Sequence, residues 1–323
     1  KRSRGEKRME LIYDGTALQA VDLLSSSLHG MLTSGATPWF HLTMKDAELG
    51  KDEEVQRWLE DSSQRMMRAF TMSNFETEVH EMYVDLVVFG TGCMFVEMDK
   101  KTLRFSTRHI SEFYVTEDQY GMVDTVFRKY EIPARQAVQR FGIENVGTFI
   151  QRTYEKKPDE SVEILHAVMP RADRDPTKQD NKNMPYSSMY ICLETKMILA
   201  ESGFQELPYV VPRFLKATGE VMGRSPAMIA LPDVKMLNLM SKTIIQAAQK
   251  MIDPPLLVPD DGFLLPIRTQ PGGLNFYRSG SRDTITPLQT GANIPIGLNM
   301  EEQRRQAIRS AFFVDQLLSG STP

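Results

Sequence analysis

Apolar residues recur at three- and four-residue steps from Thr16 to about Thr33, where Leu18, Val21, Leu24, Leu28 and Leu32 share one face. That spacing predicts a helix, with Asp14 or Thr16 placed to cap it and Gly35 to stop it. The same period predicts a second helix over 51–72, carried by Val55, Trp58, Leu59, Met66 and Phe70, and a third over 74–90 closed by Gly90 and Gly92. A two-residue alternation then takes over. Cys93–Met98 and Leu103–Ser106 read as a hairpin around Asp99-Lys100-Lys101, and Glu112–Thr116 and Met122–Tyr130 flank a turn at Glu117–Gly121. Pro133 opens a short helix that Gly142 ends. Residues 153–215 read mostly as strand, with an exposed loop over 170–185 between SVEILHAVM and YSSMYICLE. This part of the chain predicts one α+β body.

The pattern changes at about Gly223. Pro226 and Pro232 come early, and no helix breaker follows until Asp253-Pro254-Pro255. Val234, Leu237, Met240, Ile244, Ala247 and Met251 form one stripe at helical spacing, predicting a helix of about 18–20 residues. Lys235, Lys242 and Lys250 lie off that stripe, and no acid occurs between Asp233 and Asp253. About 45 residues rich in Pro and Gly follow, over 254–298, with strand-like fragments. Such a segment is too small to hold its own core, yet it carries Leu256, Leu257, Phe263, Phe276 and Tyr277. If the same chain does not cover them, a neighbouring subunit must. A helix is expected to resume at Asn299, where Asn299 and Glu302 make a capping-box-like start. The double proline thus ends a helix because the chain enters an extended excursion there.

Composition narrows the classes. The chain has 323 residues, 41% hydrophobic and 25% charged, enough for two domains or for one with a large excursion. A net charge of −4 does not advertise adhesion to nucleic acid. Lys1, Arg2, Arg4, Lys7 and Arg8 read as a solvated tail. Cys93 and Cys192 sit in apolar runs and suggest core filling or a reduced compartment rather than a disulfide framework. No apolar stretch approaches the roughly 20 residues that span a membrane. Twenty methionines suit core packing, with subunit contact as the alternative. The chain starts without methionine and stops just after a predicted helix, as a fragment of a longer polypeptide would.

The sequence carries no catalytic pattern. His29, His41, His80, His109 and His166 are scattered, without metal-ligand spacing. There is no phosphate-binding GxxxxGK[ST], and Gly90-Thr91-Gly92 reads as a structural turn. The runs Asp52-Glu53-Glu54 and Asp260-Asp261 read as exposed acids rather than a nuclease set, and no cofactor is implied.

Four stretches in this order, YDGTALQAVDLLSSSLHGMLT, VDLVVFGTGCMFVE, FSTRHISEFYVTEDQYGMVDTVFRKYEIPARQAVQRFG and GRSPAMIALPDVKMLNLMSKTIIQAAQKMIDPPLLV, carry a resemblance. The chain resembles portal proteins of tailed phages, in particular the head-to-tail connecting proteins of short-tailed phages. The matching positions are packing residues, spread through most of 13–320.

The resemblance implies a wing over 1–225, an outbound stem helix over 226–252 and a clip over 253–298. A returning stem helix over 299–318 follows, with 319–323 starting a tunnel-loop and crown region that lies beyond the sequence. It further implies a ring, usually of twelve subunits, in the virion at one capsid vertex, assembled in the host cytoplasm. Double-stranded DNA would pass through it without sequence specificity. Implied partners are major capsid and scaffolding proteins, the terminase motor and tail adaptor proteins, with no membrane.

Within this frame Lys235, Lys242 and Lys250 are candidates to face the channel; a solvated face, or pairing with a neighbour's acids, is the simpler alternative. Arg304, Arg305 and Arg309 are expected to pair with Glu301, Glu302 or a neighbour's carboxylates rather than with DNA. Leu256, Leu257, Phe263, Phe276 and Tyr277 are candidate clip contacts between subunits. A non-channel oligomeric adaptor or scaffold, and a DNA-processing enzyme, are the alternative classes.

Overall fold

Asp14 accepts a hydrogen bond from the Thr16 amide at 2.9 Å and starts helix α1 (Thr16–Leu32), the first element of a computed structural model. The structure describes residues 11–46, 48–99, 102–178, 180–258, 267, 276, 285–288 and 294–319. The chain divides into two units, Gln19–Ile229 with Ala311–Pro323, and Lys1–Leu18 with Ala230–Ser310.

In the larger unit, Asp52 caps α2 (Glu53–Thr71) by accepting from the Glu54 amide at 2.8 Å. Gly90, at φ 78°, closes α3 (Phe75–Phe89) in the left-handed region that a β-carbon disfavours. Strands β1 (Met94–Asp99) and β2 (Thr102–Thr107) pair antiparallel, Met94 opposite Thr107, as the alternation predicts. The outer edge of β2 is engaged by side chains at the start of α3. The Asn74 amide accepts from Phe105 N at 2.9 Å and donates to Phe105 O at 2.8 Å, and Glu78 accepts from Thr107 N at 2.6 Å. Backbone groups that a bare edge would leave open are satisfied this way. Beneath them Trp39, Phe70, Phe75 and Phe105 pack ring on ring, with centroids 4.7–5.8 Å apart.

A five-stranded antiparallel meander follows. It is built from β3 (Phe113–Glu117), β4 (Val123–Pro133), β5 (Ser161–Pro170), β6 (Tyr186–Cys192) and β7 (Met197–Phe204), in that spatial order. Helices α4 (Ala134–Phe141) and α5 (Gly147–Lys156) fall between β4 and β5. They place Ala134, Ala137, Phe141 and Ile150 on Tyr130, Ile164 and Cys192 of the sheet. Helix α5 overlaps the stretch expected to be strand. Its Ile150 is fully buried, and burial on one helical face outweighs the β preference of its Thr, Phe, Ile and Tyr residues. A short strand β8 (Tyr209–Val210) adds to β1. There Cys93, Phe95 and Tyr209 pack with Phe113, Val126 and Val168 in a second core. Both cysteines are free and buried, and burial pushes the Cys93 thiol up to about 12.

The Gly90-Thr91-Gly92 turn is structural. Phe214 N donates to Gly90 O at 2.9 Å, Gly92 N to Pro212 O at 3.0 Å, and Gly223 N to the Thr91 hydroxyl at 2.8 Å. A β-carbon on Gly223 would run into the Gly90 carbonyl, and one on Gly90 into the Gly223 carbonyl.

Ser225 accepts from Met228 N at 3.0 Å and opens α6 (Pro226–Ile252), 27 residues or about 40 Å at 1.5 Å each. The helix is longer than the roughly 18–20 residues that its spacing predicts, because Pro232 does not interrupt it. Proline forfeits one helical hydrogen bond, and the buried Leu237 and Ser241 beyond it hold the helix by packing. After β9 (Leu256–Leu257) and β10 (Thr286–Pro287), α7 (Ile294–Ala311) begins five residues before the expected Asn299. Pro295 is tolerated in its first turn, so Asn299 lies inside the helix rather than capping it. The helix expected over 299–318 is therefore two, α7 and α8 (Val314–Ser319), separated at Phe313, whose φ is 59°.

Replacing Gly223 by alanine is expected to destabilise the chain by about 2–4 kcal/mol in denaturant melts, because backbone must move on both sides of the contact. His166 supplies a pH prediction. It is buried between the Tyr209 hydroxyl at 2.7 Å and the Ser188 hydroxyl at 3.0 Å. Burial first, then Arg140, Arg128 and Arg108, lower its pKa to about 3. Its contribution to stability is intact above pH 6.5 and is lost as pH falls towards 3, because only the unfolded chain takes the proton there. Asp85 runs the other way, since burial raises its pKa to about 6. The expected result is thus a difference: wild type should lose stability relative to His166→Gln by about 1 kcal/mol per pH unit between pH 6 and 4, in parallel melts.

Candidate functional site

Of the residues singled out in the C-terminal half, the lysines fall on α6, the arginines on α7, and Leu256 and Leu257 on the β9–β10 ladder. Within the smaller unit α6 and α7 run antiparallel. Asp233 meets Arg304 at 2.8 Å, Ser241 donates to Glu301 at 2.6 Å, and Gly297 lies against Ile244. Partner numbers fall along one helix as they rise along the other. Leu237, Ser241 and Glu301 are buried, and Ile244 is half-buried. The contact side of α6 thus holds Leu237 and Ile244 of the predicted stripe together with Asp233 and Ser241, while Met251 at the end of the stripe is exposed.

Glu301 is a buried carboxylate with two supports, the Ser241 hydroxyl and Arg305 at 3.1 Å. Arg305 also meets Asp14 at 3.0 Å and Glu302 at 3.5 Å. Burial opposes ionisation of Asp14, but hydrogen bonds from Thr16 and Arg305 outweigh it and hold its carboxyl below the usual range. Burial likewise opposes the Arg305 charge, and Asp14 and Glu301 together raise its pKa above the ordinary value. The N-terminal segment is fixed on α6 as well, because Asn238 accepts from Tyr13 N at 2.8 Å and donates to Leu11 O at 3.0 Å. Arg309 meets Glu302 at 3.4 Å. The ion pairs of Arg304, Arg305 and Arg309 that the structure shows thus lie within one chain.

Lys235, Lys242 and Lys250 fall within an arc of about 80° at 100° per residue, on the side of α6 away from Leu237. Lys235 and Lys250 are exposed, and among the described residues neither has an acidic partner. Lys242 is half-buried, its Nζ 5.9 Å from the centre of the Tyr13 ring. Exposed apolar side chains on α6 include Leu231, Met236, Leu239, Ile245 and Ile252.

Leu256 and Leu257 form β9, opposite Pro287 and Thr286 of β10, and Leu288 N donates to Pro255 O at 2.8 Å. The two ends of the excursion are therefore hydrogen-bonded to each other. Leu257 is 53% exposed and Phe276 66% exposed. Phe263 and Tyr277 lie outside the described residues, as do Asp260-Asp261 and the basic segment before Leu11.

Other chemistry is sparse. Among the described residues no cluster of three or more His, Cys, Asp or Glu is arranged to hold a metal. The fold does bring His29 and His80 to 5.7 Å between ring centres, a pairing that their sequence separation conceals. A cavity of about 770 Å³ lies between α2 and the 38–46 segment, lined by Phe40, Leu42, Met44, Leu59 and Met67. Among the described residues no helix is long and apolar enough to cross a membrane.

Known proteins give this geometry a context. The family model for "Bacteriophage head to tail connecting protein" matches residues 1–323. The chain is 32% identical over 332 aligned residues to a probable portal protein of Bordetella phage BPP-1, covering 100% of this chain and 60% of that protein. It is 34% identical over 320 residues to the portal protein of Salmonella phage epsilon15, covering 97% of this chain and 58% of that protein. It thus spans about 60% of the length of these relatives. With that family model matched over the whole chain and two phage portal proteins at 32% and 34% identity, the chain belongs to the bacteriophage head to tail connecting protein family.

Proposed function

We propose that copies of this chain close into a portal ring at one capsid vertex and conduct double-stranded DNA during packaging and ejection. The observation that carries this is the match to phage portal proteins along the whole chain. Two features support it. The excursion between α6 and α7 leaves from an exposed strand pair that includes Leu256 and Leu257, and α6 has exposed apolar side chains beside Lys235 and Lys250, which have no acidic partner among the described residues. An apolar surface of that kind is covered economically by a second copy of itself.

In this reading 1–225 is the wing, α6 and α7 are the stem, and the clip, expected over 253–298, ends at 293 because α7 begins at Ile294. Leu256, Leu257, Phe263, Phe276 and Tyr277 meet the neighbouring clip. Twelve subunits is the expected number. The clip faces the terminase motor first and tail adaptor proteins later, and the wing faces the capsid and scaffold. Assembly takes place in the host cytoplasm, and the ring then stays in the virion. The role is structural: the motor hydrolyses nucleotide, and the ring supplies an aperture. Lys235, Lys242 and Lys250 face the channel. Few lysines on an otherwise acidic chain give weak, register-free contact with phosphates, which suits sliding better than gripping.

Light scattering on purified protein tests the assembly. The reading expects one closed oligomer many times the chain mass; a monomer at micromolar concentration contradicts it. Replacing both Leu256 and Leu257 by aspartate should lower that mass while thermal stability of the chain changes little. Replacing Lys235, Lys242 and Lys250 together by glutamine should leave the mass intact. It should also flatten the salt dependence of residual duplex-DNA binding, by about one unit of slope for each phosphate that the ring no longer neutralises. An unchanged slope removes these lysines from the channel.

A further inference from the structure

A row of polar side chains crosses the five-stranded sheet where apolar residues would be expected. In register, Arg128 on β4 stands opposite His166 on β5, and His166 stands opposite Tyr190 on β6. The row lies between the two apolar cores of the sheet, one under α4 and α5 and one under β1 and β8. His166 is stacked on Tyr190 with ring centres 4.1 Å apart, and its two nitrogens are occupied by Tyr209 and Ser188. The imidazole is therefore a satisfied, neutral floor.

Three guanidinium groups gather around this floor. Arg128 lies 4.0 Å over the Tyr130 ring and pairs with Glu112 at 2.9 Å. Arg140, exposed at the end of α4, lies 4.8 Å over the Tyr190 ring and donates to its hydroxyl at 2.8 Å. Arg108, which follows β2, has no ion pair among the described residues, and its Nε is buried without an acceptor. The Tyr130 hydroxyl is also buried without a partner, on a residue only 7% exposed. Both are donors, and a buried donor left unpaired is disfavoured. Two acids are near: Glu112 is taken by Arg128, and Glu97 acts on Tyr130 and Tyr190 without bonding to either. Burial, then the neighbouring Arg128, holds the Arg108 guanidinium below its ordinary value, as expected where a cation lacks its anion.

We propose that this seam is an oxyanion site, in which Arg108, Arg140 and the Tyr130 hydroxyl hold a single phosphate or carboxylate group above the His166–Tyr190 stack. Guanidinium groups supply forked donors matched to such oxygens, and the phenol supplies one more. Arg128 is already committed to Glu112 and contributes charge. The two unpaired donors are buried, so the site takes one anionic group and not a duplex backbone. The inference does not rest on the portal reading, since every residue involved belongs to the larger unit.

Thermal melts of the chain in inorganic phosphate and in acetate, each against chloride at equal ionic strength, test it. A saturable rise in melting temperature is expected with at least one of the two anions. Phosphate alone identifies a phosphoryl ligand, acetate alone an acidic side chain, and both a site for either. Tyr130→Phe should weaken the effective anion about tenfold while matching or exceeding wild-type stability in chloride, because it removes an unpaired hydroxyl. Arg140→Gln should weaken it by a similar factor. No response beyond chloride, or the same response in both variants, overturns the site.

Discussion

A carboxylate taken out of water must find cationic and hydrogen-bonding partners, and Glu301 finds two, through one of which a third stretch of chain is tied in. Ser241 comes from α6, Arg305 from its own helix, and Asp14, through Arg305, from the segment that leads into α1. Breaking such a buried set by removing one member is far more damaging than never having built it. Its effect is geometric as well. The network fixes the register of α6 against α7, and so holds the two helix ends from which β9 and β10 extend. The ends of the Pro- and Gly-rich segment between them are hydrogen-bonded to each other as well.

The larger unit meets its own constraint differently. Its five-stranded sheet carries two apolar cores with a polar row between them, and α3 is tied to β2 of the smaller sheet by side-chain-to-backbone bonds as well as by packing. Asn74 and Glu78 engage β2, and Gly90 and Gly223 let two backbones touch. Such contacts specify one arrangement, because no other residue in the glycine positions and no other register on β2 would satisfy them.

Much of this was legible in the sequence because it depends on local periodicity. The stripe through Leu237 and Ile244, the hairpin of β1 and β2, the turn before Gly121 and the glycine that ends α3 all follow from spacing within a dozen residues. The misreadings have local causes too. Helix α5 is rich in β-branched and aromatic residues, Pro232 reads as a breaker although packing carries the helix past it, and Pro295 conceals a helix start behind an apparent cap at Asn299. What was not legible is long-range. Arg305 joins Asp14 across nearly the whole chain, and Arg128 and Arg140 meet the His166–Tyr190 stack only because β4 and β6 lie on either side of β5. No window of sequence shows that the Arg108 Nε and the Tyr130 hydroxyl are left without acceptors among the described residues.

The central claim is that two locked helices present an excursion that only a further copy of the chain can cover, and that closure of such contacts makes an aperture. Electron microscopy of the purified protein viewed along its symmetry axis tests this most directly. The account predicts a closed ring with a central hole at least as wide as a DNA duplex, about 20 Å across, lined by the lysine face of α6. Single chains, or a closed oligomer with no hole, would contradict it.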